Sequence, residues 1–489
     1  MKRILLSLFL LLPPLIAAAD SYPDIVISGL SIIDVESGRV SDDRTLTIRD
    51  GIIHSVGDSA DGDSSLDADV VYYDFSGRFA IPGLWDMHVH LRGGEDLAED
   101  NRLWLRQYLG YGVTSIRGAG GDIPVDVLSW KEAIANQTQV GPRIFASLRK
   151  VDRSPTFRPG SVEISSVEEI PAALQGLEGM GADFVKINDG LFPDSTFLEV
   201  LRQAERLGLP TAAHIPVGIS VLDLAEAGLG SVEHSFFLTR FASTDEEQLV
   251  SEFKEEQPDG DPFADYFGMY NAFAATTDDQ KARRIFRVMA DNGVAVTPTI
   301  YLTKRWFSVD ESTSPDSDSG YFETPASILR THDVPGWIEY MNERPPERVA
   351  ADLKMVSEAQ RLVGLAAAQG VTILAGSDTG TTNTFMYPGD SLHHELAELV
   401  AAGLSPQEAL AAATVNAAEW FGLGDKAGSI DPGKWADILI LDANALKDMR
   451  NSRAIFAVLQ FGVLHDRADL ERLKKLPDES RQVGLETAP

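Results

Sequence analysis

The sequence predicts an α/β protein: a (β/α)8 TIM barrel with a small β-sandwich domain built from both chain ends. Three observations predict it. Short apolar runs ending in polar residues alternate with helical stretches through the middle of the chain, β-like alternation appears near both ends, and histidines fall at the ends of the predicted strands.

The elements follow in order. At the N-terminus Lys2 and Arg3 precede an apolar segment, residues 4–16, and then Ala17-Ala18-Ala19, the order of a secretory signal. Residues 1–19 are therefore expected to be a signal peptide and the protein secreted or periplasmic. The segment is shorter than the ~20 residues of a spanning helix and carries Pro13 and Pro14, which argues against a membrane anchor. Residues 24–57 contain DIVISGLSIID and RTLTIRDGIIHSVG, and the same texture returns in GSIDPGKWADILILDAN and IFAVLQFGVLHD. Residues 20–80 and 424–489 are accordingly assigned to the sandwich and 81–423 to the barrel. Eight strands are expected at FAIPGLWDMHVH, GVTSIRG, RIFASL, DFVKIN, PTAAHI, SVEHS, VAVTPTI and TILAGSD, with helices such as 167–180, 197–207 and 221–227 between them. An open doubly wound sheet fits less well, because no Gly-rich phosphate loop follows the first strand. Two stretches, 236–291 and 302–356, exceed a minimal barrel and are expected as insertions over its mouth.

Composition narrows the function. An apolar content of 44% supports a substantial core, and the net charge of −32 opposes a phosphate backbone, so nucleic acid is not an expected partner. No segment after the leader is long and apolar enough to span a membrane. With no cysteine, disulfides and thiolate metal sites are ruled out, and a metal must be held by His, Asp, Glu or a modified side chain. Self-association into a homo-oligomer stays open.

The chemistry concentrates at strand ends. In GLWDMHVHLRGG, His88 and His90 share one strand face and can aim at one cation. Lys186 ends the fourth strand, His214 the fifth, His234 the sixth and Asp378 the eighth. Singly, each has a plain structural reading: a hydrogen-bonded strand-end histidine, a surface lysine, a helix N-cap for Asp378 in GSDTG. Together, four of nine histidines gather on the face where barrel chemistry occurs.

In these motifs, and in Asp431-Pro432-Gly433-Lys434 followed by Ala436-Asp437, the chain resembles the amidohydrolase superfamily of metal-dependent hydrolases over about residues 24–463. GVTSIRGAGG, AAHIPVG, SVEHS and AGSDTG are most similar to its prolidase-like and imidazolonepropionase-like branch. The resemblance implies two divalent metal ions, best suited to Zn²⁺, bridged by a carboxylated Lys186. His88, His90 and Asp378 would hold the first ion, and His214 and His234 the second. It further implies attack by a hydroxide bridging the metals, with Asp378 carrying the proton to the leaving nitrogen. The expected substrate is a small molecule, a dipeptide or an N-acyl amino acid. Its carboxylate calls for a basic residue, for which Arg117 is the candidate, with Tyr301 and His393 as further substrate-binding candidates. Gly118 stands where relatives commonly carry an acid after the arginine. Hydrolysis of cyclic amides, lactones or other esters, and a catalytically dead binding protein, are the competing readings.

Overall fold

The computed structural model describes residues 23–58, 70–156, 158–188, 193–255, 262–310, 312–314 and 319–475. The expected signal peptide, residues 1–19, lies outside them. Among the described residues no helix is long and apolar enough to cross a membrane.

Two parallel sheets form the centre. One runs, in spatial order, Thr379–Gly380, Leu84–His90, Val113–Gly118, Arg143–Ala146; the other runs Val162–Ile164, Lys150–Arg153, Val185–Ile187, Thr211–Ala213, Ser231–Glu233, Ala295–Thr297. Every residue of Leu84–His90 and Val113–Gly118 is buried, as expected of parallel strands covered on both faces. Backbone hydrogen bonds link the sheets. Asp183 N donates to Ala146 O on one side; on the other, Leu374 N donates to Val296 O and Met87 N to Ala375 O.

Helices lie between the strands where the 3.6-residue periodicity put them, at Ile170–Met180, Asp194–Arg206 and Val221–Glu226. Ser220 caps the last by accepting from Asp223 N. The long stretch after Ser231–Glu233 is helical, with Phe237–Ala242, Glu246–Glu255, Pro262–Ala275 and Asp279–Asp291. The next contributes Ile300–Phe307, Ala326–His332 and Val334–Asn342.

Three details depart from the expected strands. The run FAIPGLWDMHVH splits at Gly83, so that Phe79–Pro82 pairs with Ile438–Leu441 and only Leu84–His90 joins a central sheet. A side chain at Gly83 would overlap the side chain of Thr114, so only glycine leaves room for that side chain at the break. TILAGSD makes one bridge, Ile373 to Val296, and its sheet pairing comes just beyond it at Thr379–Gly380. Lys150–Arg153 and Val162–Ile164 are additional strands.

Both chain ends meet in one eight-stranded sheet. Its path runs Val463–Asp466, Ile455–Gln460, Ile438–Leu441, Phe79–Pro82, Asp24–Ile33, Val40–Arg49, Ile52–Asp58, with Val70–Asp74 also paired to Asp24–Ile33. Alternate residues such as Ile27, Leu46, Ile438, Ile440 and Leu459 form its own apolar cluster.

Candidate functional site

Six of the residues singled out by strand position converge where the central strands end. His88 and His90 leave Leu84–His90 with ring centroids 5.1 Å apart. Asp378 approaches both, with Oδ1 3.7 Å from His88 Nε2 and 3.1 Å from His90 Nε2, while its Oδ2 lies 3.7 Å from His234 Nδ1. His234 Nε2 faces His214 Nε2 at 2.9 Å. Lys186, on the strand beside His214, is fully buried, and its charge acts on His88, His214 and His234.

The local backbone aims these groups. Asp378 and His234 have φ of 58° and 73°, in the left-handed region that costs a non-glycine residue free energy. At His234 that turn breaks the strand alternation. Glu233 and His234 are therefore neighbours in sequence yet both reach His88: Glu233 Oε2 lies 2.5 Å from His88 Nδ1, and the His234 ring is 5.0 Å from the His88 ring. Thr299, at φ 44°, places its Oγ1 2.8 Å from His234 Nδ1.

The donor set fits a divalent cation. Outer contacts at His88 Nδ1 with Glu233 and at His90 Nδ1 with Gly120 O, 3.0 Å away, leave each ring's Nε2 facing Asp378. His88 Nε2 is buried and has no hydrogen-bond partner, an expensive state for an imidazole nitrogen that a metal would relieve. His88, His234 and Asp378 each offer one ligand atom within 4.8 Å of the others. Protonation also suits ligation. Burial pushes His90, His214 and His234 well below the ordinary imidazole range, keeping their nitrogens as lone-pair donors. Burial would raise Asp378, but His88, His234, Arg92 and Lys150 outweigh it and hold the carboxyl below its usual value.

Three expected substrate contacts are corrected. Arg117 is completely buried beneath the site. Its guanidinium donates to Glu233 Oε2 at 2.7 Å, Ser231 Oγ at 3.1 Å, Thr297 Oγ1 at 3.0 Å and Met87 O, and lies 4.6 Å from the Trp420 ring centroid. Four of its five N–H groups donate to the protein and Arg117 is absent from the cavity lining, so it positions Glu233 and does not face the cavity. His393 is buried against Ser452 Oγ and Tyr111 O, each 2.9 Å away. Tyr301 stacks on His394 at 4.6 Å and lies outside the cavity lining.

That cavity, about 1020 Å³, opens above His90, His214, His234 and Asp378. It holds basic residues the strand-end reading missed. Arg92 donates from Nη2 to Asn383 Oδ1 at 2.7 Å, and Asn383 Nδ2 donates to Asp378 Oδ1 at 2.8 Å. Lys150 lines the same wall, and burial, with Arg92 and Lys186 nearby, pushes its ammonium well down. Arg92 was legible in principle, two residues after His90 in HVHLR. Lys150 and Asn383 come from loops and an extra strand that no period marked.

Known proteins resemble this chain at several levels of similarity. The chain is 26% identical over 410 residues to an imidazolonepropionase of Syntrophobacter fumaroxidans, covering 81% of this chain and 83% of that protein. A dihydroorotase of Desulforapulum autotrophicum is 26% identical over 211 residues; the match spans 42% of this chain and 45% of that relative, less than half its length. Among solved structures, a putative prolidase from Bifidobacterium longum superimposes with a TM-score of 0.66 at 22% identity, covering 94% of this chain and all of the other. An Xaa-Pro dipeptidase with bound methionine in the active site gives 0.65 at 20% identity, with 91% and 100% covered. The family model for the amidohydrolase family matches residues 79–465, and the chain belongs to that family.

Proposed function

We propose that this protein is a metal-dependent hydrolase of amide C–N bonds, acting on a small carboxylate-bearing substrate such as a dipeptide or N-acyl amino acid. One observation carries the reading: Asp378 stands among three imidazoles whose inward nitrogens lie 3.1 to 3.7 Å from its carboxylate, one of them buried without a hydrogen bond. The central parallel sheets are read as segments of one (β/α)8 barrel, with the site at its C-terminal mouth.

His88, His90 and Asp378 would hold one divalent ion and His214 and His234 a second, with Lys186 carboxylated between them. Oxygen and nitrogen donors alone suit Zn²⁺. When bound, such ions polarise a carbonyl and lower the pKa of water towards neutrality. The chain supplies the rest. A buried ammonium at Lys186 opposes cation binding, whereas its carbamate is an anionic oxygen donor. Glu233 orients His88, and Asn383 orients Asp378. The Asp378 carboxylate, held ionised by its neighbours, takes the proton of the attacking water and delivers it to the departing nitrogen. The cavity over these residues is walled in part by the two long stretches, through Phe236, Phe267 and Tyr270 on one and Trp306 and Trp337 on the other. The basic-apolar-small order of residues 1–19 supports a secreted or periplasmic location.

The test pairs metal analysis with turnover. Protein purified with added bicarbonate and Zn²⁺ should carry metal and hydrolyse members of a panel of dipeptides and N-acyl amino acids in preference to lactones and cyclic ureides. Asp378→Asn should lower kcat at least ~10²-fold, the scale of a lost general acid–base, while retaining at least the ion shared with His214 and His234. Near-normal kcat in the Asn variant would overturn the role given to Asp378.

A further inference from the structure

The cavity that His90, His214, His234 and Asp378 open into is lined both by basic side chains and by an aromatic wall. At the His90 side stand Arg92 and Lys150. Arg92 Nε is buried with no hydrogen-bond partner, and Lys150 has no side-chain hydrogen bond or ion pair among the described residues. Arg158 adds a third basic side chain, held by Asp152 at 3.1 Å. Against these three, Asp378 and Asp333 are the carboxylates of the lining, in a chain whose net charge is −32. Concentrating basic side chains here runs against the rest of the molecule and marks a place for an anion.

At the His234 side an aromatic wall begins on the ligand itself. The Phe236 ring stacks on His234 at 5.4 Å with an interplanar angle of 4°. From there Phe236 contacts Phe267 at 5.4 Å, Phe267 contacts Phe263 at 4.6 Å, and Phe263 reaches Trp337 at 5.2 Å and Tyr340 at 5.8 Å. Trp306 closes the wall, 5.3 Å from Trp337. The apolar area of such a surface is wasted on a free dipeptide, whose charged amino end would have to lie against it.

Resting on the hydrolase reading above, we propose that the substrates are N-acyl amino acids whose acyl group carries an aromatic ring: the ring lies on the Phe263–Trp337 wall and the amino-acid carboxylate on Arg92 and Lys150. This orientation puts the amide at Asp378. Hydrolysis adds the oxygen of water to the acyl carbon and breaks the C–N bond. The nitrogen receives the proton carried by Asp378, and an aryl carboxylate and a free amino acid leave.

Binding can be measured apart from turnover on chelator-treated full-length protein. N-phenylacetylglycine, N-acetylglycine and N-phenylacetylglycinamide are titrated by calorimetry and by quenching of tryptophan fluorescence. The first should bind at least ~10-fold more tightly than either of the others, which lack the ring or the charge. Arg92→Gln and Lys150→Gln should each erase the preference for acid over carboxamide. Phe263→Ala, with Phe263→Leu as the volume-sparing partner, should erase the preference for phenylacetyl over acetyl. Equal affinity for phenylacetyl- and acetylglycine, or for acid and carboxamide, overturns the proposal. If the preferences hold but the metal-loaded protein hydrolyses none of the three, the subsites stand and the hydrolase reading falls.

Discussion

Arg117 and Glu233 show how much of the site is decided below the ligands. Both are completely buried, joined at 2.7 Å, and Glu233 also meets His88 Nδ1. Burial alone would raise the Glu233 carboxyl, but Arg117 and His88 outweigh it and hold it well below the carboxylate range. A charged Glu233 fixes which His88 nitrogen faces outward, which leaves Nε2 for a cation. Removing the arginine strands this charge. Arg117→Met should cost about 3–5 kcal/mol, the penalty of a broken buried pair, and weaken metal binding. Adding Glu233→Gln to it should recover part of the stability but not the metal affinity, because an amide is a poorer partner for His88. Urea unfolding and metal titration of the two variants check this. A variant that kept wild-type stability and lost only KM would return Arg117 to substrate binding.

At the scale of elements, the helix Ile300–Phe307 connects cavity to scaffold. Its first two amides, Ile300 N and Tyr301 N, donate to Glu395 at 3.0 and 2.7 Å, and its next turns present Leu302, Thr303 and Trp306 to the cavity. Glu395 is a helix cap supplied from the distant helix Asp390–Ala401. Burial nevertheless pushes its carboxyl up to about 8. The folded state thus binds a proton the unfolded chain has released, so this group lowers stability as pH rises from about 4.5 to about 8. Glu395→Gln, neutral throughout, should lose stability at pH 5 by leaving one amide poorly paired and should flatten the decline towards pH 8. Thermal unfolding at half-unit steps tests both signs, and an unchanged slope would exclude Glu395 as its source. Elements of this kind set the limit of what could be read from the chain. His88, His90, Lys186, His214, His234 and Asp378 were legible because each ends a short apolar run, and a strand end is a position that local pattern reports. Lys150, Asn383 and Glu233 were not. Their placement depends on positive φ at His234 and Asp378, on a short strand at Lys150–Arg153 and on contacts across hundreds of residues. The split at Gly83 was hidden for the same reason: an apolar run says that a strand is present, not which sheet it joins.

Over the whole molecule the dominant quantity is charge. A net charge of −32, from 74 acidic against 42 basic residues, leaves a large acidic excess whose long-range repulsion opposes the compact state. Exposed pairs such as Arg39 with Asp34 and Arg450 with Asp448 offset little of it, since water screens such contacts. Salt weakens both terms, but repulsion among a large acidic excess sums over many pairs and the screening length falls to about 8 Å at 0.15 M. Repulsion should therefore lose more. The transition temperature should rise by at least about 2 °C between roughly 10 mM and 0.5 M NaCl, and KCl should act equally, since the effect depends on ionic strength and not on the ion. The same scans in sucrose of matched osmolarity separate screening from solute exclusion. A transition that fell with salt would mean that paired charges, and not the acidic excess, govern the stability of this chain.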